Sequence, residues 1–140
     1  MEANRLPQPV PASVRPSFPA GYQRGTQRLA LPFLNRTIMV YVDDVVCLEA
    51  EGNYTFLFTR DGKRYLVSKT LKELEQVLDE TMFVRIHKSY TINLAYVRGG
   101  LFNRDRILQL ADGREVPISR RRLKDITDLL FRYMQTVAVS

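Results

Sequence analysis

The sequence predicts a mainly β domain in which antiparallel strands pack together with two short helices. Three observations predict it. Short runs of β-branched, aromatic and aliphatic residues recur from Thr37 onward, and Asp61-Gly62 and Asp112-Gly113 each stand between two such runs. Only two stretches carry apolar residues at helical spacing, after Thr70 and after Ser119. A chain of 140 residues holds one domain. A domain of this size can bury roughly two-thirds of its unfolded surface and needs no disulfide staples.

Residues 1–33 hold Pro7, Pro9, Pro11, Pro16, Pro19 and Pro32 and few large apolar side chains before Leu29. Alternating prolines favour extended polyproline conformations and cannot build a helix or a ladder. This stretch is expected to be a flexible arm, or to dock on a partner, ahead of a folded domain over 34–135 and a tail over 136–140. Within the domain, residues 37–42 and 45–49 read as strands broken at Asp43-Asp44. Residues 54–59 and 63–67 flank the first Asp-Gly turn, and 107–110 and 115–118 flank the second. Asn103-Arg104-Asp105 is expected to turn the chain back from Gly100-Leu101-Phe102, and Pro117 confines the last strand to an edge or a strand end.

Thr70-Leu71-Lys72-Glu73 is a capping box, and Leu71, Leu74, Val77 and Leu78 then fall on one helical face. Ser119 is a good N-cap for the second helix, whose expected buried stripe is Leu123, Ile126, Leu130, Tyr133 and Met134.

Enzymatic chemistry is not expected. His87 and Cys47 are the only histidine and cysteine, so a transition metal lacks ligands. Cys47 sits in an apolar strand as a small hydrophobe, which also fits a reducing cytoplasm. Gly99-Gly100 stands alone and forms no phosphate loop, and Asp43-Asp44 and Asp79-Glu80 occupy turn and helix-end positions where solvated carboxylates are routine. No catalytic residue, metal, cofactor or small-molecule substrate is expected. There is no apolar run of membrane-spanning length and no secretory signal pattern, so no membrane partner and a cytoplasmic location are expected.

Charge points to a polyanion. The net charge is +6, yet acidic groups outnumber basic ones in residues 36–80, while residues 81–124 hold ten basic groups against three acidic ones. Arg120, Arg121 and Arg122 follow Ser119 directly, with Lys124 close behind. At the first turn of a helix the dipole disfavours cations, so three arginines there suit a bound polyanion. The other possibility is that they pair with carboxylates of the folded domain. A second segment, from Arg85 to Asn93, combines Arg85, His87 and Lys88 with Ser89, Thr91 and Asn93, neutral groups of the kind that fix register on phosphates.

Leu48-Glu49-Ala50-Glu51-Gly52-Asn53-Tyr54, then Leu71 and Leu74, then Phe83-Val84-Arg85-Ile86-His87-Lys88-Ser89-Tyr90-Thr91-Ile92-Asn93, then Pro117-Ile118-Ser119-Arg120, occur in the order seen in the LytTR family of bacterial DNA-binding domains. The chain resembles that family from about Arg36 to Tyr133. The resemblance implies elongated packed antiparallel sheets that place loop side chains in successive major grooves of duplex DNA. It adds Asn53 and Tyr54 to the candidate contacts, which become Asn53, Tyr54, Arg85, His87, Lys88, Ser89, Asn93, Arg120, Arg121, Arg122 and Lys124. Asn53, Tyr54, His87 and Arg121 are expected at base edges, Lys88 and the arginine triplet at phosphates, while Ser89 and Asn93 could instead tie the loop. Many members carry a receiver domain ahead of this module, which the proline-rich stretch here is too short to form. The expected function is sequence-specific binding of double-stranded DNA as a bacterial transcription regulator, with dimerisation on repeated half-sites. The alternative is a protein-interaction module that meets an acidic partner through its basic surface.

Overall fold

A computed structural model describes residues 8–101 and 106–137, so the expected turn at Asn103-Arg104-Asp105 and the last three residues lie outside the described residues. In chain order the strands are β1 (Arg28–Phe33), β2 (Arg36–Tyr41), β3 (Val45–Glu51), β4 (Tyr54–Thr59) and β5 (Arg64–Val67). Helix α1 (Leu71–Glu75) follows, then β6 (Phe83–His87), β7 (Tyr90–Asn93), β8 (Val97–Leu101), β9 (Ile107–Leu110), β10 (Glu115–Pro117) and α2 (Leu123–Thr136). Three antiparallel sheets result: β1-β2, a central β5-β4-β3-β7-β6, and β10-β9-β8. None of the described helices is long and apolar enough to cross a membrane.

Local chemistry sets the turns. Gly62 and Gly113 take φ of +85° and +90°, which an L side chain adopts only under strain, and the two Asp-Gly hairpins close around them. Beyond them, the Thr59 and Leu110 amides donate to the Lys63 and Arg114 carbonyls at 3.0 and 2.9 Å. Pro117 ends an edge strand, where its missing N–H costs no ladder bond. At Thr70 both capping-box bonds form: the Glu73 amide donates to Thr70 Oγ1 at 3.2 Å, and the Thr70 amide to Glu73 Oε1 at 2.8 Å. The helix they start is short. Leu71, Leu74 and Leu78 are buried, but the α-helix ends at Glu75 and Val77 remains 59% exposed.

The second helix differs from its expected form at both ends. Arg120–Arg122 make a 3-10 turn, Ser119 gives no side-chain cap, and the α-helix begins at Leu123. Ile126, Leu130 and Tyr133 form the buried stripe. Met134 is 50% exposed, because at about 100° per residue it lies roughly 70° from the middle of that stripe.

Residues 8–33 also differ from the expected arm: they lie on the domain. Leu29, Leu31 and Phe33 alternate along β1, Leu31 is buried, and Phe33 meets Tyr65 edge-on at 5.3 Å. Upstream, the amides of Val10, Ser17 and Ala20 donate to the carbonyls of Arg60, Ala95 and Thr136 at 2.8, 2.7 and 2.7 Å. Phe18 stacks on Tyr22 at 5.1 Å and meets Tyr96 edge-on at 6.2 Å. Tyr22 donates to the Asp43 carboxylate, and Tyr133 to the Ser17 carbonyl at 2.7 Å. Prolines suit such a strap, since each removes an amide that burial would otherwise have to satisfy.

Candidate nucleic-acid interface

Strand pairing gathers the expected contact segments at one end of the central sheet. Glu49 of β3 faces Tyr90 of β7, so the exit of β3 and the entry to β7 lie at the same end. The Ala50 amide donates to the Ser89 carbonyl at 2.8 Å, carrying the ladder into the β6–β7 turn. Beyond Ala50 the β3–β4 hairpin continues through the Glu51–Tyr54 pair, with Gly52 at φ +61°. Its tip projects roughly 7–10 Å past the neighbouring turn at the rise of an extended chain. Asn53 and Tyr54 sit on that tip, exposed.

The arginine triplet reaches the same end from the other side. Strand β6 is the edge of the sheet. Against it, the Ser119 amide donates to the Ile86 carbonyl at 2.8 Å, and Arg122 Nη1 to the Arg85 carbonyl at 3.1 Å. Arg120, Arg121, Arg122 and Lys124 are exposed. Among the described residues no carboxylate lies within ion-pair distance of the three arginines, whereas Lys124 meets Asp128 at 3.4 Å in an exposed pair. Because the triplet precedes the α-helix, the helix dipole bears on it little. What marks it instead is three exposed cations without a carboxylate partner, docked on the strand that leads into the Lys88 turn.

The β6–β7 turn is built from inside. Arg85 Nε donates to the His87 carbonyl at 3.1 Å and Nη2 to the Lys88 carbonyl at 3.3 Å. Its Nη1 meets both Glu75 oxygens, at 3.0 and 3.3 Å, and Thr91 Oγ1 donates to Glu75 Oε2 at 2.8 Å. A bulge between Arg85 and His87 gives the turn its extra residue. The Ser89 amide donates to His87 Nδ1 at 3.1 Å, so the neutral ring carries its proton on Nε2 as an outward donor. Burial, and then the charge of Lys88, hold the imidazole below its ordinary pKa, which keeps it neutral near pH 7. The ring lies 5.7 Å from that of Tyr90, whose hydroxyl donates to Glu49 Oε2 at 3.3 Å. Burial and then the Glu49 charge raise the Tyr90 pKa.

The expected contact residues therefore divide. Asn53, Tyr54, His87, Lys88, Arg120, Arg121 and Arg122 share one end of the sheet, with Lys124 one residue into α2. Ser89 is half-buried, and its backbone carries the turn. Arg85 is an internal clamp. Asn93 leaves the interface altogether: it is fully buried, Nδ2 donates to the Val45 carbonyl at 2.9 Å, and Oδ1 accepts from the Ala95 amide at 2.9 Å. It caps the 3-10 turn Leu94–Tyr96 because a short polar side chain satisfies the amide that such a turn leaves open.

Sequence reasoning missed two residues near this end of the sheet. Glu75 holds Arg85 from ten residues away, a pairing that no local pattern signals. Lys69 lies just past Val67, which pairs with Thr55, and the Thr55 hydroxyl fixes its carbonyl at 2.7 Å. A basic residue in the connection before the capping box was the available signal. The charge count also overstated the accessible cations. Arg114 is only 11% exposed in its side chain and lies 3.7 Å over the Phe58 ring. Cys47 is fully buried, and burial pushes its thiol pKa up, which leaves it no nucleophilic role.

Known proteins share both sequence and fold. The family model of the LytTr DNA-binding domain matches residues 35–131. The heme-containing CO-sensing transcriptional regulator RcoM 1 of Paraburkholderia xenovorans LB400 is 35% identical over 100 residues, covering 69% of this chain and 37% of the relative. The sensory transduction protein LytT of Bacillus subtilis 168 is 31% identical over 108 residues, covering 76% of this chain and 44% of the relative. The transcriptional regulatory protein YpdB of Escherichia coli K12 is 33% identical over 98 residues, covering 68% and 40%. The chain thus spans less than half the length of these curated relatives. A LytTr DNA-binding domain from Bacillus cereus has the same fold, with a TM-score of 0.65 at 23% identity, over 76% of this chain and 98% of that one.

Proposed function

Because this chain belongs to the LytTr DNA-binding domain family, we propose that it regulates transcription by sequence-specific binding of duplex DNA through the loops at one end of its central sheet. The observation that carries this reading is the convergence of unpaired cations and outward donors there. Lys88 follows His87 in the β6–β7 turn, Arg120–Arg122 dock on the end of β6 that leads into it, and the Asn53-Tyr54 tip extends from the strand paired with β7. Lys88, Arg120 and Arg122 supply phosphate contacts, with Lys69 on the opposite flank. Arg121, Asn53, Tyr54 and the His87 Nε2–H read base edges, where an arginine pairs bidentately with guanine. The chain acts in the cytoplasm and catalyses no reaction.

One module offers few contacts, so specificity comes from two copies on repeated half-sites. Selection from a random duplex library tests the reading: a repeated motif should be enriched, and affinity for it should fall steeply with salt. Equal binding to all sequences, or affinity indifferent to salt, would overturn it. Sedimentation of the complex on the selected site should show two chains; strictly one-to-one binding dismisses the dimer.

A further inference from the structure

We infer that Glu75 is a specificity-determining positioning residue, which braces the DNA-reading turn and keeps Arg85 from the DNA backbone. The inference rests on the DNA-binding reading above. Glu75 ends α1, outside every loop that faces the proposed DNA surface, and is placed by the capping box at Thr70. Leu71 and Leu74 anchor that helix in the core. Its carboxylate takes Nη1 of Arg85 on both oxygens and the Thr91 hydroxyl on one. The remaining faces of the guanidinium hold the carbonyls of His87 and Lys88. One acidic side chain therefore orients a planar fork that fixes two successive carbonyls of the turn.

The arrangement has two consequences for DNA. The His87 ring and the Lys88 ammonium are presented from a backbone that is set before DNA arrives, so ordering the turn costs little on binding. Arg85 is a cation within one turn of the interface, and left unpaired it could meet a phosphate. A further phosphate contact adds affinity to every sequence alike: it leaves the ratio of selected to random binding as it is, but raises the occupancy of random DNA and the salt dependence. Pairing with Glu75 removes that contribution. The side chains of Arg85 and Glu75 are 28% and 29% exposed, which screens the pair less than a surface ion pair.

The test measures affinity of the full chain for its selected site and for random duplex across a salt series. For Glu75→Gln, the ratio of selected-site to random binding should fall about tenfold, the loss of one base contact. Random-DNA binding should rise, and its salt slope should steepen by about 0.9, one phosphate. Arg85→Lys keeps the ion pair but cannot reach both carbonyls. It should lose the same preference without the steeper slope. Thermal melting of each variant sets a temperature at which all are folded, so that lost stability is not read as lost specificity. If either variant keeps the wild-type ratio of selected to random binding, or if Glu75→Gln weakens both in proportion, the inference is overturned. If wild type itself prefers no site, the proposed function falls instead.

Discussion

Replacing Asn93 by alanine separates a structural residue from a DNA contact. The side chain is 0% exposed and makes two bonds of 2.9 Å, from Nδ2 to the Val45 carbonyl and to Oδ1 from the Ala95 amide. Both partner residues are buried, at 0% and 1% exposure, so water cannot replace the lost amide without opening the fold. A buried backbone group left without a partner costs about 1–3 kcal/mol, so two cost about 2–6 kcal/mol. That is a large part of the 5–15 kcal/mol typical of a domain, yet it leaves a folded population in the cold. With a urea slope of about 2 kcal/mol per molar, the midpoint should drop by roughly 1–3 M. Urea unfolding followed by far-ultraviolet circular dichroism measures this. Titration with the selected duplex at a temperature where the variant is folded should give wild-type affinity. An unchanged urea midpoint combined with weakened DNA binding would refute the reasoning and return Asn93 to the interface.

Removal of residues 1–27 should lower the calorimetric melting temperature, because it strips Phe18 from Tyr96 and Tyr22 from Asp43 and breaks the backbone bonds to Arg60, Ala95 and Thr136. DNA affinity of the folded remainder should hold; an unchanged melting temperature would show that the strap does not bind the domain. His87, the only histidine, should titrate by NMR with a midpoint below 6.5. Since its folded pKa is depressed, its contribution to stability is complete above the unfolded value and is lost as pH falls from about 6.5 through the folded pKa. A midpoint at or above 6.5 in the free protein would contradict the burial of the ring beside Lys88. Arg121→Ala should weaken binding to the selected site about tenfold and relax preference at one base position. Equal weakening on random DNA would make Arg121 a phosphate contact instead.

The strands and turns were legible because their signals are local. Asp61-Gly62 and Asp112-Gly113 close as expected, and Thr70 and Glu73 make both bonds of their capping box within four residues. The Arg120–Arg122 turn was placed correctly along the chain but given the wrong conformation. Its 3-10 geometry follows from docking on the edge of β6 at Ile86 and Arg85, which no residue near Ser119 announces. The prolines of residues 1–33 build no ladder and so signal an arm, which residues 8–33 are not. Their contacts are scattered bonds to residues far along the chain.

The sequence alone determined the class of fold, the family pattern and the stretches in which DNA contacts are sought, since periodicity, turn chemistry and spacing are written in neighbouring residues. Tertiary structure decided which of those residues face outward. Arg85 and Lys88 look alike as basic residues three apart, yet one is bound to Glu75 and two carbonyls while the other stands exposed. Asn53 and Asn93 look alike as strand-end amides, yet one tips a hairpin and the other is sealed beneath Val45 and Ala95. The physical reason is that a polar side chain either takes partners inside the fold or remains available to a ligand. Those partners come from elements distant in sequence and adjacent only after packing.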